Sequence, residues 1–184
     1  MKILKWVVIV LVGLAMLGYA GFRLMQADTK KHSPEQTVVF QQDAWQVEVF
    51  YNRPFKKNRE IFGSLVPFGE TWRTGANEAT TFTTNVDVMI GSRQRLAAGK
   101  YTLWTVPGES SWRVVFNDRM YGWGVGFDEK ASRKPEYDVA EIEVPVELLD
   151  APIEQFTIRF EEGSPARMVL EWDRTRVAVE LWPA

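Results

Sequence analysis

The hydrophobic positions change character once along the chain. Trp6–Phe22 is an unbroken uncharged run, preceded by Lys2 and Lys5 and closed by Arg23. Beyond it, apolar residues fall in short period-two runs, as strands with one buried face require. The uncharged run lies at the lower limit for crossing a bilayer, and Leu24 and Met25 with a snorkelling Arg23 extend it to ~20 residues. Three readings fit: an uncleaved signal anchor with the body outside, a signal peptide cleaved after Gly18-Tyr19-Ala20, or a buried core helix. The run exceeds the ~7–15 apolar residues of a signal core, which favours the anchor. Trp6, Tyr19 and Phe22 stand near its ends, where interfacial aromatics belong. Residues 1–26 are therefore expected to be a membrane anchor or signal segment. Residues 27–36, with Asp28, Lys30, Lys31, His32 and Ser33-Pro34, are expected to be a polar linker.

Residues 37–184 predict one β domain. Thr37–Gln41 and Asp43–Tyr51 open it, the second alternating Trp45, Val47, Val49 and Tyr51 against Gln46 and Glu48. The charged stretch Phe55–Phe62 has room for one helical turn. Ala79–Asn85, Val86–Ile90, Tyr101–Val106 and Trp112–Asn117 continue as strands, with Gly91–Gly99 a turn-rich connection and Pro107–Ser111 a hairpin loop. In Tyr121–Phe127, an extended backbone would place every large side chain on one face and three glycines on the other, permitting close approach of a strand or ligand. Asp128–Asp138 is a charged loop. Val139–Val146, Ile153–Glu161, Arg167–Trp172 and Arg176–Leu181 are four more strands, separated by turns that include Asp173-Arg174-Thr175. About ten short strands without an amphipathic helix predict an all-β antiparallel sandwich or jelly roll.

Composition narrows the chemistry. The 184 residues are 46% hydrophobic and 25% charged, as suits one globular domain with an appendage. There is no cysteine, hence no disulfide, thiol nucleophile or Cys-held zinc. The single histidine, His32, reads as a solvated linker residue, which argues against Ser-His-Asp triads and histidine acid–base chemistry. No cofactor or metal is expected; a metal would have to be a hard ion held by oxygens. Beyond residue 26 there are 19 basic and 24 acidic residues, a formal −5 with the basic residues scattered, so nucleic acid is not an expected partner.

One stretch departs from the strand pattern. Gly69–Thr81 follows the turn Leu65–Gly69 and gathers Trp72, Arg73, Asn77 and Glu78 in a short polar loop, with Arg53 at the end of the preceding strand. These five are the candidate ligand-binding residues. Arg73 would hold an anion or sugar hydroxyls, Glu78 would accept from a hydroxyl, and Trp72 would stack. The competing reading is an Arg73–Glu78 tie that pins an irregular loop. Gly75 is expected in a conformation that a Cβ would forbid. Glu78 with Glu70 or Asp87 would make a carboxylate pair for glycan hydrolysis, but no spacing demands it, and no catalytic residue is assigned.

Three motifs resemble a bacterial family of uncharacterised proteins, the domain of unknown function 2911. They are Tyr51-Asn52-Arg53-Pro54 with Arg59–Gly63; Leu65–Gly69 with Trp72–Thr80; and Ala98–Leu103 with Pro107-Gly108, Trp112 and Phe116-Asn117. The similarity spans roughly Val38 to Leu181. It implies an exported protein without an assigned reaction and supplies no catalytic residue. This chain departs from the pattern in its long apolar start and its longer Asp128–Asp138 insertion.

The functional expectation is an envelope protein, anchored in the inner membrane with its body on the periplasmic side, or secreted after cleavage. It would bind a small polar ligand or envelope partner through Trp72–Glu78. The alternatives are a structural or assembly module with that loop as a folding staple, and a carboxylate-based glycan hydrolase.

Overall fold

The computed structural model describes residues 2–91 and 94–184, in two compact units, 1–32 and 33–184. Position 1 of the expected anchor and positions 92–93 of the expected Gly91–Gly99 connection lie outside the described residues.

The first unit is helix α1 (Lys2–His32), 31 residues long and ~46 Å at the usual rise. Its apolar side chains are solvent-facing, and its length and hydropathy suffice to cross a bilayer. The helix does not stop at Gln26; the expected linker is helical through His32. No residue from Ala27 to His32 breaks a helix, Asp28 pairs with Lys31 at 3.0 Å, and Lys30, Lys31 and His32 sit at the negative helix end. Pro34 disfavours helical backbone at Ser33, and the helix ends there.

The second unit is two antiparallel sheets. The strands are β1 (Glu35–Gln42), β2 (Trp45–Asn52), β3 (Thr81–Thr84), β4 (Val88–Ile90), β5 (Gln94–Leu96), β6 (Gly99–Pro107), β7 (Ser111–Asn117), β8 (Asp138–Pro145), β9 (Glu147–Glu161) and β10 (Ala166–Pro183). Six form one sheet in the order β1-β2-β3-β6-β7-β8, and four the other, β5-β4-β10-β9. The expected all-β sandwich is what the chain forms. Its core lies between the sheets: Val47, Val49, Phe82, Leu103, Val114 and Phe116 from one meet Phe156, Ile158, Leu170, Val177 and Val179 from the other. Tyr51 ties the two layers directly, its hydroxyl accepting from the Ile158 N–H at 2.8 Å.

Four local expectations are corrected. Asp173–Thr175 is no turn: β10 runs through it as one 18-residue strand, with an irregular register and Asp173 at φ +52°. A bulge admits an extra residue without reversing the chain. Phe55–Phe62 holds a turn with Lys57 and Asn58 both at positive φ, and no helical turn. Gln94–Leu96 of the expected connection is strand β5.

The fourth correction bears on the site. Tyr121–Phe127 is not a strand; it belongs to a strap over 118–134, joining β7 to β8. The strap accounts for the burial of β6 on both faces. Trp104 and Val115 form a second apolar cluster with Ala79, against which Tyr121 and Ala131 pack. Trp104 donates to Thr102 Oγ1 at 2.9 Å and meets Tyr121 edge-on at 5.4 Å between ring centroids. Arg133 clamps the strap, paired with Asp138 and donating to Thr71 Oγ1 at 3.3 Å.

Candidate functional site

The motif loop is an excursion between two attachments to one strand. Trp72 exchanges both backbone hydrogen bonds with Thr105 of β6, at 2.7 and 3.1 Å, and Thr80 O accepts from the Leu103 N–H at 2.8 Å. The residues between bulge away from the ladder. Their anchors are short hydroxyl side chains: Thr80 Oγ1 donates to Thr74 O at 2.7 Å, and the Thr74 and Thr105 hydroxyls lie 3.1 Å apart. Thr74 and Asn77 both take left-handed φ, 56° and 55°. Gly75 lies at φ +150°, and a Cβ there would come within 2.8 Å of Asn52 O. The expected requirement for glycine therefore has a definite cause, contact with the end of β2.

The five candidate residues do not converge on one point. Arg53 turns to the second sheet, donating to Phe156 O at 3.1 Å and Thr157 Oγ1 at 2.9 Å. Trp72 is core: its ring stacks at 5.9 Å on Trp172, meets Phe156 at 4.9 Å, and donates through Nε1 to Gly75 O. With 8% of its surface exposed, its ring has little face left for a ligand to stack on. Asn77 is buried, its carbonyl accepting from the Gly124 N–H at 2.8 Å and its Nδ2 without a hydrogen-bond partner. Glu78, half-buried, accepts from Asn52 Nδ2 at 3.0 Å. The expected Arg73–Glu78 tie is not formed.

Arg73 is the exception in this loop. Its Nε is sealed from solvent and has no hydrogen-bond partner, and among the described residues its guanidinium makes no hydrogen bond or ion pair. Desolvation alone holds its pKa below the usual arginine value. Gly124 of the strap lies on top of it: a Cβ at that glycine would stand 2.3 Å from Arg73 Cδ. The glycine-rich run thus does permit close approach, to an arginine side chain.

Arg73 lines a cavity of about 120 Å³ with Glu70, Thr71, Val125, Glu129 and Ala131 among its walls. An adjoining groove shares Glu70, Thr71, Glu129 and Ala131 and adds Asp128 and Lys130. Sequence reasoning weighed Glu70 as half of a carboxylate pair but did not select Thr71 or Glu129 for the site. The signals were the Gly69–Thr81 stretch, which contains Thr71, and the charged Asp128–Asp138 insertion, which contains Glu129. Asp87, the other partner weighed for Glu78, is bound instead to Arg95, and accepts from the Ala98 N–H. Among the described residues, no three His, Asp or Glu side chains converge as metal ligands would.

Fold and sequence together place the chain among two-sheet antiparallel β proteins carrying an amino-terminal apolar helix. More specifically, residues 33–181 match the family described as "Protein of unknown function (DUF2911)", and the chain belongs to that family. No curated protein and no solved structure matches it.

Proposed function

We propose that the protein is an envelope binding protein, held at a membrane by α1, whose exported β-sandwich takes a small anionic or polar ligand at Arg73. The observation carrying this reading is a half-buried arginine on the wall of a cavity, its Nε sealed from solvent without a hydrogen-bond partner. Burying a cation costs several kcal/mol unless something pairs with it. A fold that retains one at a cavity wall has a use for it beyond packing. Arginine also presents a planar fork of donors suited to a carboxylate or phosphate.

The test uses the full chain in detergent micelles. Replacing Arg73 with Met removes the charge and retains much of the apolar stem. The expected outcome is higher stability to urea, by ~1 kcal/mol or more, with loss of ligand-induced stabilisation. In the parent, a small carboxylate, phosphate or sulfate at 100 times its Kd should add about 2.7 kcal/mol. A parent unmoved both by the whole anion panel and by small zwitterions such as glycine overturns the reading.

The staple alternative has its own support in the Thr74, Thr80 and Trp72 contacts, which fasten the loop to β6 and the core. Under that reading Arg73→Met lowers stability, because the side chain would matter through its packing under Gly124.

A further inference from the structure

The charges around Arg73 narrow the ligand class, an inference that rests on the binding role proposed above. The residues lining the cavity include one arginine, Arg73, and two acids, Glu70 and Glu129. The adjoining groove is bounded by the same two carboxylates, by Asp128 and by Lys130. Glu70, Asp128 and Glu129 are solvent-exposed, while Arg73 is half-buried with its Nε sealed. Arg73 is thus the more recessed charge, and the acidic residues stand in contact with water. For a multiply charged anion such as phosphate this is a poor site, because like charges face it at the mouth. A ligand with an anionic end and a cationic end meets an opposite charge at each.

We infer that the Arg73 cavity takes a small zwitterion of the amino-acid class, its carboxylate on the Arg73 guanidinium and its ammonium toward Glu70 and Glu129. A cavity of about 120 Å³ has room for a small ligand of a few heavy atoms. Val125 and Ala131 supply apolar wall for a short methylene chain. The Gly124 backbone over the arginine stem limits the guanidinium's freedom to swing out, which pre-organises the anion end.

Isothermal titration of the full chain in detergent, with glycine, β-alanine, γ-aminobutyrate, acetate and methylammonium as probes, tests this. At least one of the three zwitterions should bind tenfold or more tightly than acetate, with methylammonium weakest. Exchanging both exposed carboxylates, Glu70→Gln with Glu129→Gln, should erase that preference and leave acetate binding equal or stronger. These positions are solvent-facing, so the double variant retains the fold. Acetate binding as tightly as every zwitterion, or a preference that survives the double exchange, overturns the inference while leaving an anion site at Arg73 intact. Heat from none of the five, with the anion panel also silent, removes the binding role itself.

Discussion

Gly75 sits with its Cα against the Asn52 carbonyl, in a backbone conformation that L residues rarely adopt. An added methyl has nowhere to go without parting the motif loop from the end of β2. Gly75→Ala should therefore cost about 2 kcal/mol in urea unfolding, a typical figure for a backbone-conflict substitution. A change below half of that would show that the loop shifts freely. The contact also explains why this glycine was readable as a special position and its reason was not. Glycine between Thr74 and Ala76 signals unusual backbone, whereas Asn52 lies 23 residues away and arrives only through the sheet. Arg73 follows the same logic. Its type and loop were legible, but its recessed setting depends on Gly124 lying over its stem. The burial of Trp72 was not legible because an aromatic next to polar residues looks the same whether its ring turns outward or, as here, into a cluster with Phe156, Trp112 and Trp172.

At the scale of elements, the strap over 118–134 decides how the site is covered. It buries the outer face of β6 and lays Gly124 on Arg73. Its fastenings are polar: the Arg133–Asp138 pair, the Tyr121 hydroxyl accepting from the Lys134 N–H at 2.9 Å, and Asn117 Nδ2 donating to Lys134 O at 2.9 Å. Arg133→Ala removes the clamp to both Asp138 and Thr71. Amide hydrogen exchange at Gly124 and Ser132, which bond to Asn77 O and Gly124 O, should accelerate at least tenfold, while the β2 and β6 ladders keep their protection. Unchanged exchange at those two amides would mean that the apolar contacts under Tyr121 and Ala131 hold the strap alone. The strand-like pattern of Tyr121–Phe127 has a physical source. Alternating large residues and glycines carry the period of a strand, but a strand needs a partner ladder. Here only Val125 bridges, to Ala131 of the same strap.

For the whole molecule, the outer face of the β9–β10 pair carries a network of charges. Glu161 accepts from Arg159 at 2.8 Å and from Arg176 at 2.9 Å and pairs with Arg167 at 3.0 Å; Arg159 also holds Glu171 at 2.9 Å. The Arg159 hydrogen bond, followed by the nearby Arg176 charge, holds the Glu161 carboxyl below its ordinary value of 4.5. A carboxyl whose pKa is lower folded than unfolded stabilises the fold at pH values above the unfolded value. That contribution is lost as pH falls through the folded one. Stability of the β-sandwich should thus decline below about pH 4.5, and Glu161→Gln should flatten that decline while lowering stability at pH 7. Urea midpoints across pH 3 to 7 measure it, and parallel curves for the two proteins would show that Glu161 takes no part. Because the pair faces solvent in part, 0.5 M salt should shrink the difference.

Local pattern alone settles the amino-terminal helix, the all-β class and most strand positions, since burying one face of a strand imposes period two on the sequence that forms it. It also settles that the Trp72–Thr80 stretch is not strand. Tertiary structure decides the rest, because it depends on residues far apart in sequence meeting in space. The sheets bring Asn52 to Glu78, Arg53 to Thr157 and Thr105 to Trp72. The long β10 absorbs Asp173 as a bulge because a continuous β9 runs beside it. And a loop arginine becomes a recessed charge with a sealed Nε only when a strap from some fifty residues downstream closes over its stem.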